Sequence, residues 1–188
     1  TIKELGHGVN YARPDVRDWM FANIEEVSRK FDIDGVELSF IRHGYCFPPS
    51  TAGGQHALMT GFMRRVRKML DEIGQKRDRH LLLGARVPTT LAECARLGQD
   101  VPTWIQQGLI DYVAPSDYHS TDFNVQYEEF ARLTRKSDCH LYPAIQADVP
   151  GNHAIMTLDN YRASLKNFYG AGADGFSTHN YDVYMWGQ

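Results

Sequence analysis

The sequence predicts an α/β fold of the (β/α)8 barrel type, with five parallel strands of the eight carried by a single domain over residues 1–188. Three observations predict it. Strand-length apolar runs alternate with helical periodicities, the pattern of successive βαβ units. Polar and charged residues stand at the carboxyl end of each run, where a barrel gathers its site. No strand is followed by GxGxxG or GxxxxGK[ST], the phosphate loops a doubly wound nucleotide-binding sheet would carry.

The first helix is expected from Pro14, suited to an opening turn, to about Lys30, with Val16, Met20, Ile24 and Val27 as its apolar stripe and Trp19 and Phe31 beside it. The Asp-Gly turn at 34–35 then opens an apolar strand from Ile33 to His43 that carries Glu37 among Val36, Leu38 and Phe40. Burying a carboxylate there is costly unless it is paired or has a task. A loop over 44–54, with Tyr45, Cys46 and Phe47, is a candidate wall of a binding site. Helical spacing returns from His56 to about Gln75 through Leu58, Phe62, Val66, Met69 and Ile73. Strand two spans His80 to Val87, closed by Pro88. Thr90 caps a short helix to Leu97, and Val101 to Gln107 forms another. Strand three covers Leu109 to Ala114, and a helix from Asn124 to Lys136 buries Tyr127, Phe130 and Leu133. Strand four covers His140 to Ile145. The last helix runs from Leu158 to Tyr169, capped by Thr157 or Asp159, and strand five from Ala173 to His179.

Charge and composition narrow the partners. A net charge of −3 and 43% hydrophobic residues fit a globular domain with no nucleic-acid or membrane partner. Arg64, Arg65, Arg67 and Lys68 read as a solvated helix face. Cys46, Cys94 and Cys139 are odd in number and far apart, which predicts buried free thiols. No cofactor motif occurs. No HxH or HExxH spacing supports a metal, although His43, His119 and His179 with Asp117 and Asp148 would be the ligands of a metal-dependent hydrolase.

Converging strand ends would assemble Glu37, Ser39, Arg42 and His43 with Arg86, Asp117, Tyr118 and His119, and with Gln146, Asp148, His179 and Tyr181. Alternation places Glu37 and Ser39 on one side of their strand. Each element also has a structural reading: Glu37 as ion-pair partner of Arg86 or Arg42, Arg86 as an orienter of a carboxylate, Asp117 as a turn or cap residue. Two carboxylates across a barrel mouth would suit glycosidic bond cleavage, with a buried Glu37 held protonated as acid and Asp117 ionised on a polar turn. Ser39, Arg42, His43, Arg86, Tyr118, His119, Gln146, Asp148, His179 and Tyr181 would then bind a carbohydrate substrate. Tyr45, Phe47, Tyr118, Tyr181 and Trp186 are the candidate stacking faces.

The stretch Asn10-Tyr11-Ala12-Arg13-Pro14-Asp15-Val16-Arg17-Asp18, with Asp34-Gly35-Val36-Glu37-Leu38-Ser39-Phe40-Ile41-Arg42 after it, resembles the N-x-A-x-P-x-V-R-D and D-G-[IV]-E-[FL]-D-F-x-R signature of bacterial glycosyl-hydrolase-like (β/α)8 barrel proteins. The segments Gly84 to Pro88 and Asp111 to Tyr118 are compatible with it. The resemblance implies that the visible strands are the fourth to the eighth, and it implies glycosidase chemistry. Ser39 stands where that pattern has Asp, which removes a second carboxylate and makes a non-catalytic carbohydrate-binding barrel the rival expectation. Five strands do not close an eight-stranded barrel. The sequence therefore leads us to expect a fragment of a longer protein, or self-association or a preceding segment that covers the open sheet edges.

Overall fold

A computed structural model of the chain describes residues 9–41, 45–117, 121–125, 127–148 and 155–179. Helix α1 (Pro14–Lys30) leads into β1 (Gly35–Ser39), α2 (His56–Arg77) and β2 (Leu82–Val87). Two short helices, α3 (Leu91–Arg96) and α4 (Val101–Gln106), precede β3 (Tyr112–Pro115) and α5 (Glu128–Thr134). The chain continues through β4 (His140–Leu141), β5 (Ala144–Gln146), α6 (Leu158–Ala171) and β6 (Ser177–His179).

The strands are parallel and lie in chain order, β1-β2-β3-β4, with β5 beside β6. The expected fourth strand is one segment with a break in its middle. Pro143 has no N–H to give to a ladder, so β4 and β5 are separated by it. A bridge between Ser116 and Ala144 and the Ser177 N–H to Pro143 carbonyl bond of 3.0 Å nevertheless keep the segment between β3 and β6. Five strand positions in strict sequence order, with no reversal, form the incomplete wall of a barrel of the TIM type. A doubly wound sheet would have a switch point.

The helices cover one face of this wall. Helix α2 buries Met59, Phe62, Met63, Val66, Met69, Leu70 and Ile73, a wider stripe than expected because 3.6 residues per turn bring adjacent positions 62–63 and 69–70 inside together. Helix α1 differs more. Phe21 and Ser28 are its buried residues, and Trp19 is 62% exposed, with Val27 and Phe31 also exposed. Its covered face is centred on Phe21, Ile24 and Ser28, so Val27 falls just outside it.

The basic run on α2 is not a solvated face throughout. Arg67 is buried and donates to Asp111 at 2.9 Å, to Asp71 at 2.7 Å and to the Leu81 carbonyl at 2.7 Å. Arg65 lies over the Phe21 ring, 3.8 Å from its centroid, and Arg64 donates to Gln107. These residues fasten α2 to α1, α4 and the start of β3. The three cysteines are free and buried, as expected. Thr90 caps α3 by accepting the Glu93 N–H. Thr157, rather than Asp159, caps α6 in a capping box whose reciprocal partner is Asn160. Helix α5 starts four residues later than expected, after Tyr127, which is buried with its ring edge-on to Phe168.

Gly84 shows how tightly the uncovered face is fitted. A Cβ there would fall within the Tyr112 ring, which lies across it from the paired position on β3. Gly84→Ala is expected to lower stability by about 1–3 kcal/mol through overpacking. In the Tyr112→Ala background the same change should cost much less, a coupling that a double-mutant cycle on thermal or urea unfolding would detect.

Candidate functional site

The site is the face of the sheet that the helices leave open. Cross-strand register puts Glu37 beside Gly84 and Gly84 beside Tyr112, and it puts Ser39 beside Arg86 and Arg86 beside Ala114. Ser116 is level with Ala144 and Ser177, and Gln146 with His179. Alternate residues share a face. Glu37, Ser39, Arg86, Tyr112, Ser116, Gln146 and His179 therefore belong to one surface.

Glu37 and Ser39 do lie on the same side of β1, and both are exposed, while Val36 and Leu38 are half-buried and Phe40 is buried. This corrects the expectation of a buried carboxylate. Among the described residues β1 pairs with β2 alone. The partner of Glu37 is the Tyr112 hydroxyl. Burial, with the nearby Glu37 charge, holds that phenol well above its usual range. Beside Tyr112 sits Tyr142, with ring centroids 5.6 Å apart, and Tyr142 stacks on His140. Sequence reading missed Tyr112 and Tyr142. Once β1 and β3 are in register, the parity of Tyr112, Ala114 and Ser116 exposes the first, but the register itself is a tertiary property.

Arg86 is the buried polar centre, 3% exposed. It donates to Ser116 Oγ at 2.8 Å and to His179 Nδ1. A guanidinium has no acceptor, so Nδ1 must be unprotonated and His179 carries its proton on Nε2. Gln146 Nε2 reaches Ser116 Oγ at 3.1 Å and the Asp117 carbonyl at 2.9 Å, which closes a network across β2, β3, β5 and β6. The ion pair between Glu37 and Arg86 allowed for in the sequence is not formed, because the Arg86 amino groups are turned to His179 and Ser116. Burial lowers the Arg86 pKa, an effect larger than the opposing one of the Glu37 charge.

Asp117 does not join Glu37. Ser116 lies four residues beyond the Glu37 level on β3, roughly 13 Å along the strand, and Asp117 follows it with opposite parity. Its carboxylate accepts the Asp122 N–H at 2.9 Å, and its charge is felt by the buried Tyr127. Glycosidase carboxylates stand ~5–9.5 Å apart across one bond, and this offset does not provide that arrangement. The ionisation pattern also differs from expectation: burial pushes the Asp117 carboxyl up, against the lowering effect of the Asp122 N–H.

Asp148 is buried, and its carbonyl accepts the Thr121 N–H at 3.0 Å. The Thr121 hydroxyl donates to the Gln146 carbonyl and accepts the Gln146 N–H, so the segment after β3 is pinned to β5. Phe47, expected as a stacking face, is 2% exposed and belongs to the core. Tyr45 is anchored by Arg96, and with Cys46 it flanks a groove of about 320 Å³ along the unpaired edge of β1, to which Tyr11, Met20, Glu37 and Ser39 also contribute. Arg42, His43, Tyr118, His119, Tyr181 and Trp186 lie outside the described residues. Among the described residues no group of three or more His, Cys, Asp or Glu side chains could hold a metal ion. No helix among them is long and apolar enough to cross a membrane.

No protein-family model matches the chain, and no curated protein matches its sequence. Solved structures do resemble it. The 3-dehydroquinate dehydratase from Geobacillus kaustophilus aligns with a TM-score of 0.59 at 17% identity, over 86% of this chain and 56% of that one. The PgaB (BpsB) glycoside hydrolase domain from Bordetella bronchiseptica aligns with a TM-score of 0.53 at 13% identity, over 89% and 57%. The ICChI chitinase from Ipomoea carnea aligns with a TM-score of 0.51 at 12% identity, over 86% and 61%. All three have the TIM-barrel fold, and the chain spans between 56 and 61% of their lengths. The chain is thus barrel-like, and glycoside hydrolases are among its structural neighbours. At these identities the likeness concerns the fold, and a dehydratase in the same group shows how little a barrel dictates its chemistry.

The raised Asp117 carboxyl has a consequence for stability. Its pKa is higher in the folded state than the ordinary 3.8, so the folded chain holds its proton longer than the unfolded one does. Stability contributed by the protonated form is full below the unfolded value and is lost as pH rises through the folded one. Asp117→Asn, which keeps a carbonyl acceptor for the Asp122 N–H, should remove that loss. Thermal unfolding of both proteins across the acid range is expected to show the variant gaining on the parent as pH rises above about 4.

Proposed function

We propose that the chain is a carbohydrate-binding wall of a glycoside-hydrolase-like barrel, with the sugar seated on the uncovered polar face. The observation that carries this reading is the network of Arg86, His179, Ser116 and Gln146 at the carboxyl ends of the strands. Donors and acceptors fixed on strands suit the hydroxyl-rich edge of a saccharide. Tyr112 and Tyr142 add aromatic surface next to it. Ser39, Glu37 and the groove along β1 extend the face at its edge, and Arg42, His43, Tyr118, His119, Asp148 and Tyr181 complete the proposed contact set.

Binding without hydrolysis is favoured because Glu37 and Asp117 stand at different levels of the sheet with opposite parity. Ser39 supplies no second carboxylate beside Glu37. Glycosidic bond cleavage is the second reading, supported by the burial of Asp117, which shifts its carboxyl upward, the direction in which a general acid is tuned.

Calorimetric titration with neutral oligosaccharides, run beside a product assay, separates the two. The binding reading expects saturable heat, a Kd weakened at least tenfold by His179→Ala, little change with Glu37→Gln, and no product. Steady product release that Asp117→Asn abolishes would establish hydrolysis instead. Absence of heat with every sugar tested would overturn both.

A further inference from the structure

We propose that this face selects an acidic saccharide, one carrying a uronic-acid carboxylate, and that the charge of Arg86 makes the selection; the inference rests on the carbohydrate-binding reading above. Arg86 is a cation almost wholly removed from water. Such a charge is retained in a fold when a counter-charge accompanies it. Among the described residues none is in contact with it. The partners of Arg86 are a neutral imidazole and a serine hydroxyl, its Nε is buried with no hydrogen-bond partner, and among the described residues no carboxylate forms an ion pair with it. Glu37 is one level away on β1, and its own hydrogen bond goes to Tyr112.

The residue across from Arg86 on β1 is Ser39, small, uncharged and exposed. A carboxylate at that place would neutralise the guanidinium from within the chain. Serine supplies no charge there, and the Glu37 charge one level away is outweighed by the effect of burial on Arg86. An anionic group that enters over Ser39 meets a positive field in surroundings of low dielectric, where one charge interaction outweighs several neutral hydrogen bonds. The flanking elements favour a ring-shaped carrier for that carboxylate. The Gln146 side chain lies on one side, and Tyr112 with Tyr142 offers an aromatic surface on the other. A uronic acid combines a sugar ring with a carboxylate and meets both demands. A neutral sugar leaves the Arg86 charge unmatched.

The test compares β-1,4-linked trisaccharides of glucose and of glucuronic acid on the intact chain, at low and at physiological ionic strength. The uronate is expected to bind at least tenfold tighter than the glucose trisaccharide, with a preference that shrinks as salt rises. Arg86→Gln should abolish the preference. Because Arg86 also holds three strands together, the deciding variant is Ser39→Asp, a change at an exposed position that supplies an internal counter-ion. It should erase the preference for uronate. Equal affinity for the two sugars in the parent, or a preference that survives Ser39→Asp, overturns acid selection and leaves carbohydrate binding standing. Failure of both trisaccharides to bind the parent overturns the two together.

Discussion

A buried guanidinium holds the uncovered face of this molecule together. Arg86 stands on β2, and its two amino groups reach β3 through Ser116 and β6 through His179. Gln146 returns from β5 to the same serine. Four strands that share few direct ladders are thereby cross-linked at one point. The network also fixes protonation: His179 accepts from arginine and must be neutral at Nδ1. Side chains committed in this way keep their places before a ligand arrives, which is how a binding face avoids ordering costs on association.

The opposite ends of the strands are held by different chemistry. Asp111, just before β3, accepts from Arg67, from the Leu83 N–H at 2.6 Å and from His80 at 2.5 Å. In a barrel the carboxyl ends of strands gather function and the amino ends gather stability. The two arginines divide in that manner. Arg67 is matched by carboxylates and closes the base, whereas Arg86 is met by neutral groups and faces the open side.

Much of the fold was legible in the sequence because it depends on local periodicity. The alternation of elements, Pro14 at the start of α1, the Thr90 cap and the shared side of Glu37 and Ser39 follow from spacing alone. What escaped depends on partners distant in sequence. Glu37 reads as buried because its neighbours are apolar, but whether a strand is central or at an edge is decided by pairing. Arg67 reads as solvated because it lies in a basic run, yet the carboxylate that buries it is 44 residues away. Asp117 was recognised as a strand-end acid, but its level and parity relative to Glu37 come from the register of β1, β2 and β3. Tyr112 was hidden for the same reason, since its significance lies in what it crosses on β2.

The break at Pro143 divides the wall into two hydrogen-bonded units. Strands β1 to β4 form one ladder system and β5 with β6 the other, joined by the Ser116–Ala144 bridge, by bonds from the Asp174 and Ser177 N–H groups to the Leu141 and Pro143 carbonyls, and by the side-chain network above them. Two ladder systems of this kind can open with different free energies. Amide exchange would then divide at this proline, with Ile145 and Gln146 released separately from Val113. A ligand that engages Arg86 and Gln146 together spans the crease and makes the two halves exchange as one body.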